Sequence, residues 1–590
     1  MPSPHVHVER PVGLPGDRQP PAYSSDMVAD VLHGLNVRYL PVNPGSSFRG
    51  FHDSVVNHGG NEKPQIILCV HEEIAVAMAH AYAKATGEVA VAAVHDLVGL
   101  MHATMAVYDA WCDETPLLLL GGGGPVDAAN RRGIDWLHSA STQAALVRDY
   151  VKWDDEPLST SAVMDSVLRG HALAGSAPTG PVYVTLDMDL QEQPLAELPV
   201  LPDARRRSGV PSLSAPMADI ERAVDLLVAA DEVVIVAGSM SFDATVTPRL
   251  VELAELLGAA CRDDHNAVAF PTAHRLNLSG DANLLRGTAA DVVLAIDVRD
   301  PGTLLTDCGP GTQLIDVSLR HLRQRGWANA EGPPVDVDVV VPAEPREGLD
   351  QLLVAVRARL AQDGDADAAK REARRARIQD AHDQLRAEQA DLLKQRWDQV
   401  PIAPPRMVAE VWEAVRDRDW LLTLRNTRSW LDGIWDFTAA GQWLGHSGGG
   451  GVGYGPGAIL GGALAARDRG QTSVAIIGDG DLHMGIGALW TAVHYQIPTL
   501  IIVNNNVSFF NDELHQTQVA KDRGRPVENA WIGMRMQDPE VDVAMAARAY
   551  GAWAEGPITD PDDLPAALRR ALDQVDAGKV ALLDVRTASQ

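Results

Sequence analysis

The sequence alternates short runs of β-branched residues with longer alanine-rich runs, and this alternation recurs in three blocks. Each short apolar run has the length of a buried strand, and each alanine-rich run has the length of a helix. Strands that alternate with helices predict parallel sheets joined by crossover helices. We therefore predict an α/β fold with three doubly wound parallel-sheet domains.

Shifts in composition suggest where these domains begin and end. The first 22 residues are rich in proline and predict a flexible or surface-clinging arm. The run 346–400 is dense in alanine, arginine, aspartate, glutamine and glutamate, which predicts a solvated connecting helix, with a coiled-coil partner site as the alternative. The predicted segments are an arm at 1–22, a first domain at 23–200, a central domain at 212–345, a helical linker at 346–400 and a last domain at 401–590.

Charge and cysteine content restrict the class of protein. The 590 residues include 79 acidic and 50 basic side chains, a net charge of −29, which argues against nucleic acid or an anionic membrane surface as the main partner. Four widely spaced cysteines form no CxxC pair, which argues against a disulfide framework or a zinc ribbon. No apolar run approaches the roughly 20 residues of a membrane span. We expect a cytoplasmic enzyme that does not bind membranes.

The strongest functional signal is the segment 473–506, SVAIIGDGDLHMGIGALWTAVHYQIPTLIIVNNN. It predicts a strand, a Gly-Asp-Gly turn, a helix and a second strand that ends in asparagines. In an open parallel sheet, ligands collect beyond the carboxyl ends of the strands. Carboxylate, amide and carbonyl oxygens are the ligands that Mg²⁺ prefers, and glycines let backbone N–H groups approach phosphate oxygens. The alternative is a plain turn and a capped strand that bind nothing.

This segment resembles the diphosphate-binding motif of thiamine diphosphate (ThDP) enzymes, which opens with GDG and closes with two asparagines. Alignment through Pro498 puts the closing pair at Asn505 and Asn506, preceded by an extra Asn504. Val507 stands where many family members have glycine. The resemblance implies that Mg²⁺ is bound by Asp479, Asn506 and the carbonyl of Ser508. It implies that the cofactor is held at this end by Gly478, Asp479, Gly480, Asp481 and Asn506.

A glycine-rich segment, WLGHSGGGGVGYGPGAILGGALAARDRG, begins at Trp443. Gly448, Gly450 and Gly453 satisfy the dinucleotide fingerprint G-x-G-x-x-G, but the residues before them do not form a strand pattern. The segment is similar to that of acetolactate-synthase-type ThDP enzymes. The resemblance implies that Gly450 contacts the cofactor and that Val452 lies beneath it and keeps its two rings bent. A loop without a ligand is the alternative.

A third motif lies in the first block, in PQIILCVHEEIAVAMAHAYAKATG. It predicts a strand, a sharp turn and a helix that ends at Gly87, with Glu72 at the helix entry. A glutamate in a first turn ordinarily just favours the helix dipole, and a zinc HExxH motif fails because Ala75 replaces the second histidine. The segment resembles the family's H-E-x-x-A helix. The resemblance implies that Glu72 activates the cofactor through its pyrimidine ring.

Other parts of the first block match the family less completely. PVNPGSSF is similar to the family's Pro-Gly turn, which implies that Pro44 and Gly45 contact the cofactor. The loop 96–102 keeps only Gly99 of the family's Ser-Gly-Pro-Gly-Ala-Thr-Asn pattern, and Arg425-Asn426 replaces a usual Asp-x-Gly. These loops face the substrate in the family, so the substrate stays open. The candidate substrate-binding residues are His95, Asp96, His102, Arg425, Asn426 and His446.

The resemblance implies ThDP- and Mg²⁺-dependent decarboxylation of a 2-oxo acid such as pyruvate, with carboligation to a second carbonyl. The alternatives are a non-ligating decarboxylase or C–C lyase, a silent regulatory homologue and, from another class, an NAD-dependent oxidoreductase. The middle block is similar to the family's central domain, which holds FAD in some members; FAD is possible here, but no residue set supports it. The resemblance also implies a homodimer or homotetramer with active sites at the subunit interface.

Overall fold

The computed structural model describes most of the chain and divides it into two compact units. Unit 1 contains Met1–Gly209, Gln399–Thr427 and Ser447–Gln590, and unit 2 contains Val210–Asp398 and Arg428–His446. Three parallel sheets are present, so the predicted α/β class with three parallel-sheet domains is confirmed. The described residues are 9–14, 19–197, 200, 203–207, 211–264, 267–286, 290–306, 308–323, 325, 335–364, 367–427 and 430–589.

The first sheet of unit 1 has six strands in the order β2-β1-β3-β4-β6-β5, all parallel. Its central strands are buried on both faces because helices cover both sides. The elements are α1 (Ser24–Gly34), β1 (Tyr39–Val42), α2 (Arg49–Asp53), β2 (Gln65–Leu68), α3 (Glu72–Thr86), β3 (Ala90–Val94), α4 (Leu97–Cys112), β4 (Leu117–Gly123), α5 (Gly133–His138), β5 (Trp153–Asp155), α6 (Thr160–Gly175), β6 (Pro181–Asp187) and α7 (Met188–Glu192).

Unit 2 contains the second sheet, with five parallel strands in the order β11-β10-β9-β7-β8. The order reverses between β7 and β9, as in other doubly wound folds. The elements are α8 (Met217–Ala229), β7 (Val233–Ala237), α9 (Val246–Leu257), β8 (Ala260–Asp263), β9 (Val292–Ile296), β10 (Gln313–Val317), β11 (Val339–Val341), α10 (Pro345–Asp363) and α11 (Ala368–Gln395).

The segment 346–400, expected to be a solvated linker, forms α10 and α11 within unit 2. The apolar side of α10, including Leu349 and Leu352, is buried in the core of this sheet. Along α11, Arg374 donates from Nε to the carbonyl of Gly258 at 2.8 Å, and His382 Nδ1 lies 2.7 Å from the carbonyl oxygen of Asn277. Both helices are therefore packed against the central domain, while the remaining face of α11 is charged and exposed.

The third sheet, in unit 1, has five parallel strands in the order β12-β13-β14-β16-β15. Strands β13 and β14 are adjacent, so the Gly-Asp-Gly turn and the asparagines lie at the same edge. The elements are α12 (Pro404–Val415), β12 (Trp420–Arg425), α13 (Tyr454–Arg469), β13 (Thr472–Gly478), α14 (Asp479–Gly485), α15 (Ala488–His494), β14 (Thr499–Asn505), α16 (Phe510–Asp522), α17 (Val543–Ala549), β15 (Trp553–Ile558), α18 (Leu564–Asp576) and β16 (Val580–Arg586).

Helices α3 and α13 join the two sheets of unit 1 by an unusually close contact. A Cβ at Gly457 would lie 2.8 Å from the carbonyl oxygen of Ile74, and one at Gly461 would lie 2.0 Å from that of Met78. Six of the 15 residues of α3 are alanine, and one of them, Ala77, faces Gly457. Small residues on both helices thus let backbone approach backbone, and the two helices share one hydrophobic core.

Only residues 9–14 and 19–22 of the predicted N-terminal arm are described. Within them, Glu9 Oε2 accepts a hydrogen bond from the Tyr495 hydroxyl at 3.3 Å, and its other oxygen lies 3.2 Å from His494 Nε2. Among the described residues, no helix has both the length and the apolar character required to cross a bilayer.

Candidate active site

Glu72 is the first residue of α3, four positions after Leu68, the last residue of β2. His71 is the N-cap of this helix, and its Nδ1 accepts a hydrogen bond from the Glu73 N–H at 3.2 Å. The helix ends at Gly87, whose φ of 71° is left-handed and suits glycine. This local geometry places the Glu72 side chain at the strand edge, where it is only 6% exposed.

The Glu72 carboxylate faces helix α4. Its Oε2 lies 3.1 Å from His102 Nδ1, and the His102 side chain is 59% exposed. A Cβ at Gly99 would lie 3.1 Å from Glu72 Oε1 and 2.8 Å from the Cβ of His95. Gly99 therefore leaves the space that lets Glu72 and His95 lie on either side of one helical turn.

His95 is the centre of a polar cluster at the carboxyl ends of β1 and β3. Its Nδ1 lies 2.7 Å from Ser47 Oγ and 2.5 Å from Asp96 Oδ1, while its Nε2 lies 3.2 Å from His138 Nδ1. Asp96 is buried and also accepts from Ser139 Oγ at 3.3 Å. Two imidazoles, two hydroxyls and a carboxylate can pass or hold protons here.

The Pro-Gly turn lies directly against this cluster. A Cβ at Gly45 would lie 2.4 Å from the His95 ring, so the absence of a side chain is required by packing. Pro44 and Gly45 also line a largely apolar cavity of about 350 Å³ on the first sheet. Their expected contact with the cofactor stays a prediction.

Asp479 begins helix α14 at the carboxyl end of β13. It is 3% exposed, and burial raises the pKa of its carboxyl to about 6, against the effect of N–H groups such as those of Gly480 and Val507. Its Oδ2 is buried with no hydrogen-bond partner among the described residues. A buried carboxylate oxygen that has no protein partner is costly unless it meets a cation.

Asn505 and Asn506, at the end of β14, make different hydrogen bonds. Asn505 Nδ2 donates to Asp584 Oδ1 at 2.8 Å, so this side chain is used inside the sheet. Asn506 Oδ1 accepts from the Ser508 N–H at 3.0 Å, which curls the backbone after the strand. Val507 has a φ of 59°, a left-handed conformation that is strained for a β-branched residue. The strained turn brings the Asn506 amide and the Ser508 segment beside the Asp479 edge.

Asp481 holds the start of α13. Its Oδ1 accepts from the Gly453 N–H at 2.7 Å, and its Oδ2 lies 3.4 Å from Asn426 Nδ2. Burial raises the pKa of this carboxyl as well. Gly480 faces the Phe509 ring, where a Cβ would approach within 2.8 Å, whereas a Cβ at Gly478 would have room. Packing therefore explains why Gly480 has no side chain, but it does not explain Gly478.

The glycine-rich loop 448–453 lies along helix α4. A Cβ at Gly449 would lie 2.7 Å from the Tyr108 ring, and one at Gly451 would lie 2.3 Å from Met105 Cε. Gly450 has a φ of 71° and open space around it, and the Val452 side chain is 44% exposed. Among the described residues 430–447, which lead into this loop, no strand is present, whereas the dinucleotide fingerprint requires one directly before it.

The first turn of α3 and the glycine-rich loop meet within unit 1. A Cβ at Gly453 would lie 3.2 Å from Glu73 Oε1. The pKa of Glu73 is raised, mainly by burial and further by the nearby Asp481 charge. The structure thus brings the Glu72 turn, the Val452 loop and the start of α13 into one region.

The remaining substrate candidates, Arg425, Asn426 and His446, belong to different units. Arg425 ends β12, and Asn426 follows it beside Asp481, at the edge that also carries Asp479. His446 belongs to unit 2, where its ring stands edge-on to Trp443 at 5.0 Å. Sequence reasoning missed Ser47, His138 and Ser139, because their role depends on contacts between distant loops. The histidine at the end of α5 carries no motif that could have indicated it.

The donor set at the Asp479 edge fits a magnesium ion. Asp479 offers an unpartnered carboxylate oxygen, Asn506 an amide and Ser508 a backbone carbonyl, all oxygen ligands. Magnesium retains several positions for water and phosphate oxygens, and an exposed apolar residue at Val452 suits contact with an organic ring system. The residues therefore fit Mg²⁺ and ThDP, although the individual roles stay predictions.

Comparison with known proteins gives consistent results. Residues 24–146 match the N-terminal TPP binding domain of thiamine pyrophosphate enzymes, and residues 426–585 match the C-terminal TPP binding domain. The chain is 26% identical to the acetolactate synthase isozyme 3 large subunit of Escherichia coli K12, covering 95% of this chain and 94% of that one. It is also 26% identical to benzoylformate decarboxylase of Pseudomonas aeruginosa, covering 90% and 95%. The solved Rhodococcus jostii RHA1 thiamine diphosphate-dependent 4-hydroxybenzoylformate decarboxylase shares the fold, with a TM-score of 0.74, 22% identity and coverage of 96% and 99%.

Proposed function

Because this chain belongs to the thiamine pyrophosphate enzymes that decarboxylate or join 2-oxo acids, we propose that it decarboxylates a 2-oxo acid such as pyruvate and joins the acyl unit to a second carbonyl compound. The observation that supports this proposal is the approach of the first turn of α3 to the glycine-rich loop, where a Cβ at Gly453 would lie 3.2 Å from Glu73 Oε1. In this proposal the buried Glu72 carboxylate handles a proton, and the exposed Val452 side chain contacts the cofactor.

The metal end of the site is formed by Asp479, Asn506 and the carbonyl of Ser508. These groups would hold Mg²⁺, which when bound would supply positive charge for the diphosphate of the cofactor. The raised pKa of Asp479 reflects a carboxylate held in a dry position, which a divalent cation stabilises in its charged form. Gly478 has room for a phosphate oxygen to approach its backbone.

The activating end is formed by Glu72. When bound, ThDP supplies a ring that accepts the electron pair left behind as CO2 departs. Glu72 holds a proton at the pyrimidine end, and its burial keeps water from competing for that proton. His102 connects Glu72 Oε2 to solvent, and Val452 and Gly450 shape the crevice between the two ends.

The substrate end is formed by the polar cluster around His95. His95 and His102 precede and follow Gly99 and can donate to the carboxylate and carbonyl oxygens of a 2-oxo acid, while Asp96 faces His95 Nδ1 and orients that ring. Arg425 and Asn426 stay candidates at the Asp479 edge.

A second candidate function is simple decarboxylation with release of an aldehyde. One observation favours it: His95 and His102 place two imidazoles beside the Glu72 crevice, and an imidazole can donate a proton near neutral pH. Protonation of the retained carbon would end the reaction before a second carbonyl is joined.

The test is an assay of the purified protein with ThDP, Mg²⁺ and a panel of 2-oxo acids. Release of CO2 that requires ThDP, together with an acyloin or acetolactate product, supports the first candidate. Release of CO2 with aldehyde alone supports the second. Nicotinamide reduction without a ThDP requirement would overturn both.

Assembly forms part of the proposal. A homodimer or homotetramer, in which partner subunits complete each other's sites, is proposed from the family resemblance. Sedimentation velocity of the protein with and without ThDP and Mg²⁺ tests it, and a monomer that turns over at full rate would contradict it.

A further inference from the structure

Asp109 is a buried carboxylate for which the proposed chemistry has no use. It lies near the end of α4 and is fully buried. Its Oδ1 accepts a hydrogen bond from the Gly449 N–H at 2.9 Å. Its Oδ2 is buried with no hydrogen-bond partner among the described residues. One oxygen of the carboxylate is therefore hydrogen-bonded, and its partner belongs to the glycine-rich loop.

This arrangement costs stability. A carboxylate removed from water with half of its acceptors unused is less favourable than an apolar side chain of similar volume. Burial raises the pKa of Asp109 to about 7, against the effect of the Gly449 and Gly451 N–H groups and of Lys84. The nearby cation Lys84 lies 2.5 Å from Asp113 Oδ2, where it serves the neighbouring carboxylate. A residue that costs stability calls for a reason outside folding.

The loop that Asp109 contacts offers such a reason. Gly448 and Gly449 lie so close to the end of α4 that neither has space for a side chain, and a Cβ at Gly451 would displace the end of the Met105 side chain. Glycines confer no preferred conformation of their own, so contacts must fix this loop. The bond from Gly449 to Asp109 ties the loop three residues before Val452, while Asp481 ties it one residue after, through the Gly453 N–H.

We propose that Asp109 is a positioning residue that fixes the loop 448–453 on α4 and thereby sets where Val452 meets the cofactor. The inference rests on the proposed function, because Val452 is there the residue that contacts ThDP. Asp109 itself does not touch the reacting groups. Its effect passes through the Gly449 backbone.

The test compares three forms of the full-length protein: unmodified, Asp109→Leu and Asp109→Asn. Leucine removes the acceptor and the unpaired oxygen, whereas asparagine keeps an acceptor oxygen for Gly449. Binding of ThDP in the presence of Mg²⁺ is followed by isothermal titration calorimetry on the apo protein. The melting temperature of the apo protein is measured in parallel, and kinetics at varied ThDP separate KM for the cofactor from kcat.

We expect Asp109→Leu to bind ThDP more weakly without any loss in the melting temperature of the apo protein. Asp109→Leu should weaken ThDP binding about tenfold or more, as expected for the loss of one hydrogen bond to a charged group. Its apo melting temperature should stay unchanged or rise, because the costly carboxylate is gone. Asp109→Asn should bind ThDP within about threefold of the unmodified protein, since a neutral acceptor retains the bond. The kinetic effect should be mainly on KM for ThDP.

Several results would overturn the proposal. Unchanged ThDP affinity in Asp109→Leu, or an equal loss in Asp109→Asn, would show that the acceptor does not position the loop. If the leucine variant does not fold, Asp109→Ala replaces it without added volume, and unchanged affinity there has the same meaning. Absence of ThDP binding by the unmodified protein would instead overturn the proposed function, and this inference with it.

Discussion

Glu72 Oε2 lies 3.1 Å from His102 Nδ1, so a buried carboxylate at the start of α3 is hydrogen-bonded to a largely exposed imidazole on α4. The pair connects the interior of the crevice with solvent through a single side chain. The ring of His71 stacks on that of His102, with centroids 4.9 Å apart and planes 14° from parallel. This stacking limits the rotation of the His102 ring. We expect the buried Glu72 to hold a proton and the exposed His102 to exchange it with solvent. Each expectation can be tested.

Replacing Glu72 by glutamine should nearly abolish turnover. The amide keeps the shape but cannot hold a transferable proton, so we expect kcat to fall by about 10²–10⁴-fold. Binding of ThDP should change little, because the metal end is untouched. The rate of CO2 release and a ThDP titration measure the two effects, with Glu88→Gln on the exposed end of the same segment as the matched control. Turnover that survives Glu72→Gln would refute the assigned role.

Replacing His102 by glutamine should slow turnover in a way that small buffers repair. If His102 carries protons between Glu72 and solvent, its loss should reduce kcat by about tenfold at low buffer concentration. Because this position is open to solvent, imidazole added to the assay should restore much of the rate. A rate that is independent of imidazole concentration would mean that His102 only orients Glu72.

Replacing Asp479 by asparagine should remove most of the affinity for Mg²⁺. The variant loses the only charged group of the proposed donor set, so we expect affinity to fall by at least about 100-fold. Magnesium titrations followed by ThDP-dependent activity or by calorimetry measure this. Asp512→Asn, which changes an exposed carboxylate a few residues past the motif, should leave the affinity unaltered.

Replacing Gly461 by alanine should destabilise unit 1. The added methyl would lie 2.0 Å from the Met78 carbonyl oxygen, so α3 and α13 would have to move apart, at a cost of about 1–3 kcal/mol or more. The melting temperature should fall. Gly133→Ala is the control, because a Cβ there meets nothing within 4 Å, and its effect should stay within about 0.5 kcal/mol.

The stability of the protein should carry a pH dependence that originates at Asp109. Its pKa in the folded chain is about 7, above the ordinary 3.8, so between these values the folded state keeps a proton that the unfolded state has lost. Stability of the unmodified protein therefore falls as pH rises across this window, by at most about 1.4 kcal/mol per pH unit from this group. The Asp109→Asn variant lacks this loss.

The melting temperature of Asp109→Asn, measured relative to that of the unmodified protein, should therefore increase between pH 5 and pH 8. Asp380→Asn, an exposed carboxylate on α11, provides the comparison and should give the same difference at both values. A difference for Asp109→Asn that does not vary with pH would contradict the assignment.

The fold could be predicted from the sequence because buried strands in parallel sheets are continuous apolar runs. Three strands, β5, β8 and β15, have no such apolar run, and each lies at the edge of its sheet. Edge strands carry polar residues and prolines, such as Asp154 and Pro557, that central strands do not tolerate. The apolar-run criterion therefore recognises the centre of a sheet and misses its border.

The segment 346–400 is helical, as predicted, but part of its surface is buried and not solvated. High charge indicates that a helix has a solvated face, but it does not indicate whether the opposite face is buried. Leu349, Leu352 and Val356 recur at helical spacing on α10 and fill the core of unit 2. The spacing was visible in the sequence, although the overall composition masked it.

In the candidate site, residues within one segment were predictable and contacts between segments were not. Asp479 and Asn506 follow the adjacent strands β13 and β14, and the chain between them forms the helices α14 and α15 and the strand β14. The approach of His138 to His95, and of Gly449 to Asp109, depends on how loops fold back, and no local pattern encodes that. Gly45 and Gly480 are required by packing, and their contact with the cofactor stays a prediction, because both uses require the same absence of a side chain.

The backbone contact between α3 and α13 has a consequence for how such an enzyme can change its substrate. Because Gly457 and Gly461 let α3 and α13 approach backbone to backbone, the spacing of these two helices is set in the core, away from the loops at the strand ends. Those loops can then be exchanged or lengthened without disturbing the spacing of the two helices. Altered specificity in this scaffold should accordingly arise from the strand-end loops, while the two helices stay invariant in spacing.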